Sequence, residues 1–362
     1  MSKNSQVPAS VSPIVYTAAL MVVLAGAYLA RTIVTPLLLA LFISIICAQP
    51  IAWMEKRKVP KVAAMLIVLA GLLLLFSVFA VVIGSTLSGF SSNVGDYETT
   101  LTEIGNSFTQ FLKDKGLNVP DDLLSGIIQP AKVLSLTATA VNSVLGMMGR
   151  TFLIFLIVIF ILMEFGSFSV KVKAIQYGSG RSDAYFADIA QNIRQYLWIK
   201  TIVSVSVGVL IYFALLIIGL DYPLLWALIA ILMNYIPNIG SIIATVPVVL
   251  FALVQLGLGG AIWTLVINML IHNLVGNFLE PKIMSRGLGL STLVVFISLL
   301  FWGFLFGPVG MLLSVPITMT IKIILEQDEK TRWAALLLGT PGEAEQYLRD
   351  KEGAGNGNPV TE

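Results

Sequence analysis

Eight apolar runs, at about residues 14–30, 33–53, 62–83, 151–165, 199–219, 223–256, 260–279 and 291–325, leave this chain few ways to fold. Hydrocarbon offers the backbone no hydrogen-bond partner, so runs of this kind cross a bilayer as helices that satisfy their own N–H and C=O groups. With 57% hydrophobic and 12% charged residues, the composition lies far from the soluble balance of about 45–50% apolar and about 25% charged. The expected fold is an all-α polytopic membrane protein with about six full transmembrane helices and two broken or re-entrant segments. The first run is too long for the apolar core of a cleavable signal. No small-residue cleavage pattern follows it, and it is expected to remain as an anchor.

Two runs are too long for one span and are each cut by residues that a spanning helix avoids. "NYIPNIG" interrupts 223–256 at 234–240, and "FGPVG" interrupts 291–325 at 306–310, leaving pieces short of the roughly 20 residues that a crossing needs. The breaks also resemble each other. "PNIGSIIATVPVV" and "GPVGMLLSVPIT" each place a Pro ahead of a Gly and a second Pro six or seven residues beyond that Gly. Each broken element is either a kinked crossing or a hairpin that returns to its own side. Hairpins put the connection "EPKIMSRG" (280–287), with Lys282 and Arg286, in the cytoplasm, whereas crossings put it outside. The positive-inside tendency favours hairpins. Hairpins entering from opposite faces form an inverted repeat, and such repeats place a solute site where their discontinuous helices meet.

Polar side chains gather near these breaks. Asn234, Pro237, Asn238 and Gly240 form the first break and Pro308 and Gly310 the second. Between them Asn273, Asn277 and Glu280 fall within about 60° on a helical wheel, with Asn268 and His272 alongside. Asn234, Pro237, Asn238, Gly240, Asn273, Asn277, Glu280, Pro308 and Gly310 are the candidate substrate-binding set. Backbone groups freed at the prolines are expected to serve the solute too, with hydroxyls from Ser241, Thr245 and Ser314 nearby. Each Asn equally suits an interhelical hydrogen bond, His272 suits a core role, and Glu280 suits an interfacial ion pair with Lys282 or Arg286. Glu164 reads as an interfacial charge.

The flanks organise the rest. Residues 1–83 hold three transmembrane helices, 84–146 an extracytoplasmic helical arm, 147–326 the transport region and 327–362 a charged cytoplasmic tail expected to be disordered. In the arm Val94, Tyr97, Leu101, Ile104, Phe108 and Phe111 recur at helical spacing, a narrow stripe suited to packing on another helix. The basic turn "EKRKVPK" at 55–61 belongs in the cytoplasm, and 166–200 reads as an interface-lying helix on that side. A single Cys47 and a single His272 leave no disulfide framework and no multi-histidine metal site. "GTPGE" at 339–343 is too short for a phosphate loop and no Walker sequence is present. No enzyme activity, cofactor, metal or nucleic-acid partner is expected, and any transport runs on a gradient.

"LMNYIPNIGSIIATVP", "NFLEPKIMSRGLGLSTLVVFISLLFWGFLFGPVGMLLSVP" and "TPLLLALFISII…VPK" together resemble the autoinducer-2 exporter family over about residues 14–326. The resemblance implies a multi-pass protein of the bacterial inner membrane that moves the small polar signal autoinducer-2. It also implies a homo-oligomer, with a pentamer as the working number. Relatives described as sodium/proton antiporters keep cation antiport open as the second reading and a non-transporting assembly role as the third. The only acids near the transport region, Asp221 and Glu280, lie at segment ends, which ranks a neutral, hydroxyl-rich solute first. If both broken runs are hairpins, a cysteine at Ser285 is labelled by an impermeant maleimide from the cytoplasmic side; labelling from the outside alone overturns the hairpin topology.

Overall fold

The computed structural model describes residues 13–92, 151–164, 184–280 and 289–355, with single positions 99, 110, 114 and 171. The stripe from Val94 to Phe111, the rest of the arm beyond Ser92 and the basic connection 281–288 lie outside the described residues. The elements are α1 (Pro13–Leu29), α2 (Arg31–Lys56), α3 (Lys61–Ser92), α4 (Thr151–Glu164), α5 (Ala184–Ile218), α6 (Pro223–Met233) and α7 (Ile239–Asn273). A π-helical turn (Leu274–Leu279), α8 (Thr292–Glu326), α9 (Arg332–Leu338) and α10 (Pro341–Gly355) complete them. Among the described residues, five helical stretches are long and apolar enough to cross a membrane, as an all-α polytopic fold requires.

Helix α5 is a ruler for the bundle. It runs unbroken from Ala184, where the sequence suggested a separate interfacial helix ahead of the span, because no Gly or Pro occurs between 184 and 207 to stop it. From Lys200 to Ile218 it rises about 27 Å, close to the hydrocarbon thickness of about 30 Å. At its lower end Thr201 and Ser204 bond Tyr235 and Asn234, and Lys200 holds Glu280. At its upper end Gln255 donates to the Gly219 carbonyl at 3.2 Å and accepts from the Asp221 N–H at 2.9 Å.

These contacts show the chain doubling back. Helix α6 descends along α5, and the first limb of α7 climbs beside it with Phe251 packed on Trp226 and Tyr222, at ring separations of 5.4 and 6.0 Å. Residues 219–256 are therefore a helical hairpin with its tip at 234–238. At Gly257 (φ 73°, ψ −168°) α7 reverses, and its second limb returns to the Lys200 level at Glu280. Helix α8 folds on itself in the same way. Its backbone breaks at Gly307 (φ 66°, ψ −147°), and the Trp302 indole N–H donates to Thr318 Oγ1 at 3.1 Å. A straight helix would hold positions 302 and 318 about 24 Å apart.

The two hairpin tips are built alike. A residue of positive φ, Asn238 or Gly307, turns the chain, and a glycine two or three positions later packs on a backbone carbonyl of the descending limb. A Cβ on Gly240 would collide with the Met233 carbonyl, and one on Gly310 with the Trp302 carbonyl. The hairpins open toward opposite ends. The first has its base beside Gly219, whereas the second starts at Leu290, in one buried cluster with Tyr196 and Leu197, and ends with Phe304 stacked 5.5 Å from Tyr28. Helix α2 confirms that direction, leaving Arg31 beside Tyr28, passing Tyr235 with Phe42 (5.5 Å, edge-on) and ending at Lys56 near Trp198.

Lipid tails are as apolar as leucine, so helix association here depends on close packing rather than on the hydrophobic effect. Small residues supply it. Gly208 lets α5 approach the Ala227 carbonyl and Ile231 of α6, and Ala40, Ala64, Ala230, Ala244 and Ala252 are all buried. Part of the tail expected to be disordered is helical, and residues 356–362 lie outside the described residues. Helices α9 and α10 cover 332–338 and 341–355, because Ala335 is fully buried, Ser291 N–H donates to the Leu338 carbonyl (3.0 Å), and Lys322 draws in Glu343 (2.7 Å) beside Glu326 (3.1 Å). Gly240→Ala should lower the melting temperature of detergent-purified protein by an amount equivalent to about 1–3 kcal/mol of overpacking. Gly71→Ala, where nothing lies within 4 Å of the new methyl, should not; equal effects would mean that the tight tip is not what holds the hairpin.

Candidate functional site

The first hairpin tip forms where three short-range preferences meet. Helix α6 ends at Met233, Pro237 cannot donate a backbone hydrogen bond, and Asn238 takes a positive φ that few residues besides Gly and Asn accept readily. Local bonds then satisfy much of the backbone. Asn234 N–H reaches Ala230 O (2.9 Å), Ile236 N–H reaches Met233 O (2.9 Å), Ile239 N–H reaches Pro237 O (2.6 Å) and Gly240 N–H reaches Ile236 O (3.2 Å). These four amides are used by the turn itself. Side chains do the polar work instead.

Those side chains meet α5 over little more than one turn. Asn234 Nδ2 donates to Ser204 Oγ (3.0 Å), Tyr235 Oη donates to Thr201 Oγ1 (2.8 Å), and Thr201 Oγ1 donates onward to the Leu197 carbonyl (2.7 Å). One turn below Ser204, the Lys200 ammonium lies 2.7 and 3.0 Å from the two Glu280 oxygens. Ser204 is fully buried, and Lys200 is 5% exposed. Tyr196 is in electrostatic range of Glu280, and His272 is in range of Lys200. A carboxylate, an ammonium, two hydroxyls, a phenol and an amide thus share one level of an otherwise apolar bundle, with Phe42 closing one side of Tyr235.

Glu280 reaches this level through the π-helical turn at 274–279. Widening the turn from i→i+4 to i→i+5 bonding rotates all later residues backward about the axis, and such turns recur at functional sites. The wheel that grouped Asn273, Asn277 and Glu280 assumed an unbroken α-helix, and here it is corrected. Asn273 is exposed, with its Nδ2 donating to the Met269 carbonyl (2.9 Å), while Glu280 points to Lys200. Asn277 sits within the π turn, and its side chain is outside the described residues. Glu280 pairs across the bundle with Lys200; Lys282 and Arg286, considered as its partners from the sequence, lie outside the described residues. Above it on the second limb of α7, Thr264, Asn268 and His272 follow one another at intervals of four. Asn268 Nδ2 donates to the Thr264 carbonyl (2.9 Å), while Thr264 Oγ1 and His272 Nε2 are buried without a partner among the described residues.

Of the residues singled out from the sequence, the structure brings Asn234 and Glu280 to the α5 cluster. Pro237 and Gly240 shape the tip, and Asn238 is exposed there with its carbonyl accepting from Ser241 Oγ (3.0 Å). Pro308 and Gly310 form the second tip, whose hairpin stacks Phe304 on Tyr28. Thr245 is buried on the first limb of α7 and Ser314 donates to the Met311 carbonyl. Glu164 pairs with Lys171, both exposed, as an interfacial charge would. Lys200, Thr201, Ser204 and Tyr235 escaped the sequence reading. Their signal was there in Lys200, Thr201 and Ser204, polar residues at helical spacing inside an apolar run.

Two oppositely directed hairpins inside a bundle of apolar helices, with a polar cluster at one tip, define a polytopic membrane protein of transporter build. The chain belongs to the AI-2E transporter family: residues 18–329 match the family described as AI-2E family transporter, as the motifs suggested. It is similar to a putative transport protein of Haemophilus influenzae, 38% identical over 334 residues, which cover 89% of this chain and 94% of that one. It is 34% identical over 319 residues to the AI-2 transport protein TqsA of Escherichia coli K12, covering 88% and 93% of the two chains. To the putative transport protein YhhT of the same strain it is 33% identical over 331 residues, covering 91% and 95%.

Glu280→Gln should destabilise the protein by roughly 3–5 kcal/mol, because it leaves the Lys200 ammonium buried without a counter-charge. Adding Lys200→Met should restore much of the loss. Thermal melts of the single and double variants check this, and a double variant no better than the single one would show that the pair is not a coupled unit.

Proposed function

We propose that this protein exports a small polar solute across the bacterial inner membrane, and that autoinducer-2 is that solute. The observation that carries the reading is the first hairpin tip, which brings Asn234 and Tyr235 to Thr201 and Ser204 inside an apolar bundle. A hydroxyl-rich solute can exchange with those hydrogen bonds one for one. Swapping partners costs little, whereas stranding a donor or acceptor costs about 1–3 kcal/mol, so such a site favours solutes that offer both. The similarity to a protein named for AI-2 transport supports the choice of solute.

The two helical hairpins are read as re-entrant elements. With the end that carries Lys56, Arg57, Lys58 and Lys61 in the cytoplasm, the first hairpin enters from outside and the second from inside. The tip of the first then acts as a gate that moves against α5 as its hydrogen bonds pass to the solute. The working unit is a homo-oligomer, and the driving force is a gradient. The Lys200–Glu280 pair favours a second reading, cation/proton antiport, because a membrane carboxylate that exchanges an ammonium partner for a cation is the minimum such a mechanism requires.

Purified protein in sealed vesicles separates the two. Labelled autoinducer-2 should move down its gradient, and Tyr235→Phe, which keeps the ring against Phe42, should weaken apparent affinity roughly 5- to 150-fold. Asn234→Leu should do the same, and Tyr235→Phe should leave the melting temperature nearly unchanged. Sodium-driven proton flux with no autoinducer-2 movement overturns the export reading. Normal affinity in a destabilised Tyr235→Phe protein removes the tip from the site.

A further inference from the structure

An open cavity of about 530 Å³ lies between the last turns of α2 and the Trp198 turn of α5, lined by Gln49, Pro50, Ala52, Trp53, Lys56 and Trp198. It is separate from the polar cluster at the hairpin tip. Its walls are mostly apolar and its rim is cationic. Lys56 closes it at the end of α2, and the Arg57 guanidinium lies 4.1 Å over the Trp53 ring. Across the groove Arg194, exposed, stands one turn before Trp198 on the same face of α5. Between 49 and 61 the only acid is Glu55, against Lys56, Arg57, Lys58 and Lys61. Among the described residues, no carboxylate forms an ion pair with Lys56, Arg57 or Arg194, whereas Lys200 nearby is already neutralised by Glu280.

Two large indoles, 53% and 43% exposed, mark this level as the boundary between hydrocarbon and headgroups, where tryptophan concentrates. We propose that the groove is a binding site for an anionic phospholipid. Its acyl chain lies along Trp53 and Trp198, and its phosphodiester sits between Lys56 and Arg57 on one wall and Arg194 on the other. The apolar walls select a lipid over a soluble anion. The uncompensated positive charge selects an anionic headgroup over a zwitterionic one, as basic pockets between transmembrane helices do on the cytoplasmic side. A lipid held there bridges α2 to α5 two residues from Lys200, and so braces the helix that carries the tip's hydrogen-bond partners.

The test is native mass spectrometry of the full chain in mild detergent with equal phosphatidylglycerol and phosphatidylethanolamine. The wild type should retain phosphatidylglycerol preferentially. Lys56→Gln, Arg57→Gln and Arg194→Gln should each weaken that retention roughly fivefold, while Lys351→Gln on the remote α10 should not. Trp198→Ala should reduce it with every charge in place. Equal retention of both lipids, an equal loss in Lys351→Gln, or displacement by millimolar inorganic phosphate overturns the proposal. So does a change of oligomeric mass in the triple Gln variant with lipid retention intact, since a second copy would then cover the groove. Melting temperatures of the single variants near that of the wild type exclude unfolding as the cause of any loss.

Discussion

A polypeptide that reverses direction among apolar helices has to pair its backbone groups inside itself, and this bundle is arranged around that requirement. The two hairpin tips and the turn between the limbs of α7 each sit on a residue of positive φ: Asn238, Gly307 and Gly257. At the first tip the amides of Asn234, Ile236, Ile239 and Gly240 all find carbonyls within the same few residues. Gly240 and Gly310 then let the returning limb approach a carbonyl of the descending one more closely than any Cβ would permit. Once the turn has consumed its own backbone polarity, a short hairpin becomes tolerable in lipid, and the side chains it carries are left to bond elsewhere. Asn234 and Tyr235 are those side chains, and α5 is where they bond.

Much of this was legible in the residues. The apolar runs locate the helices, and the Pro, Asn and Gly content of 234–240 and 306–310 locates the two tips, because few residues can make such turns. Asn234 and Glu280 were identifiable as polar groups with nowhere comfortable to go. What was hidden depended on geometry that a wheel or a window cannot carry. The π turn shifts the phase between Asn273 and Glu280, so one faces outward and the other inward. Lys200 looked like one more base in a charged segment, since its burial comes from a partner 80 positions away. The tail helices escaped because their order comes from Ala335 packing and from Lys322 pairing with Glu343, neither of which raises local hydropathy.

The two tips share their architecture but not their surroundings. The first ends among hydroxyls, a phenol and an ion pair, whereas the second ends beside Phe304 and Tyr28, with the Trp302–Thr318 bond inside its own hairpin. The bundle thus has one polar tip and one mainly apolar tip.

The ion pair fixes the level at which the polar tip docks. Lys200 and Glu280 tie the start of α5's apolar stretch to the end of the returning limb of α7, and Tyr235 and Asn234 dock on the turn just above. A charge pair this buried is worth little as a source of stability, because desolvating the two ions offsets most of their attraction. Its geometric demand is another matter. An ammonium 5% exposed has to keep its carboxylate within about 3 Å or remain unsatisfied, so the two helices cannot slide past each other by a turn without breaking it. Neutral hydrogen bonds at the tip are weaker than this charged contact. The cluster thus places its charged contact between the two long helices and its neutral ones between α5 and the hairpin.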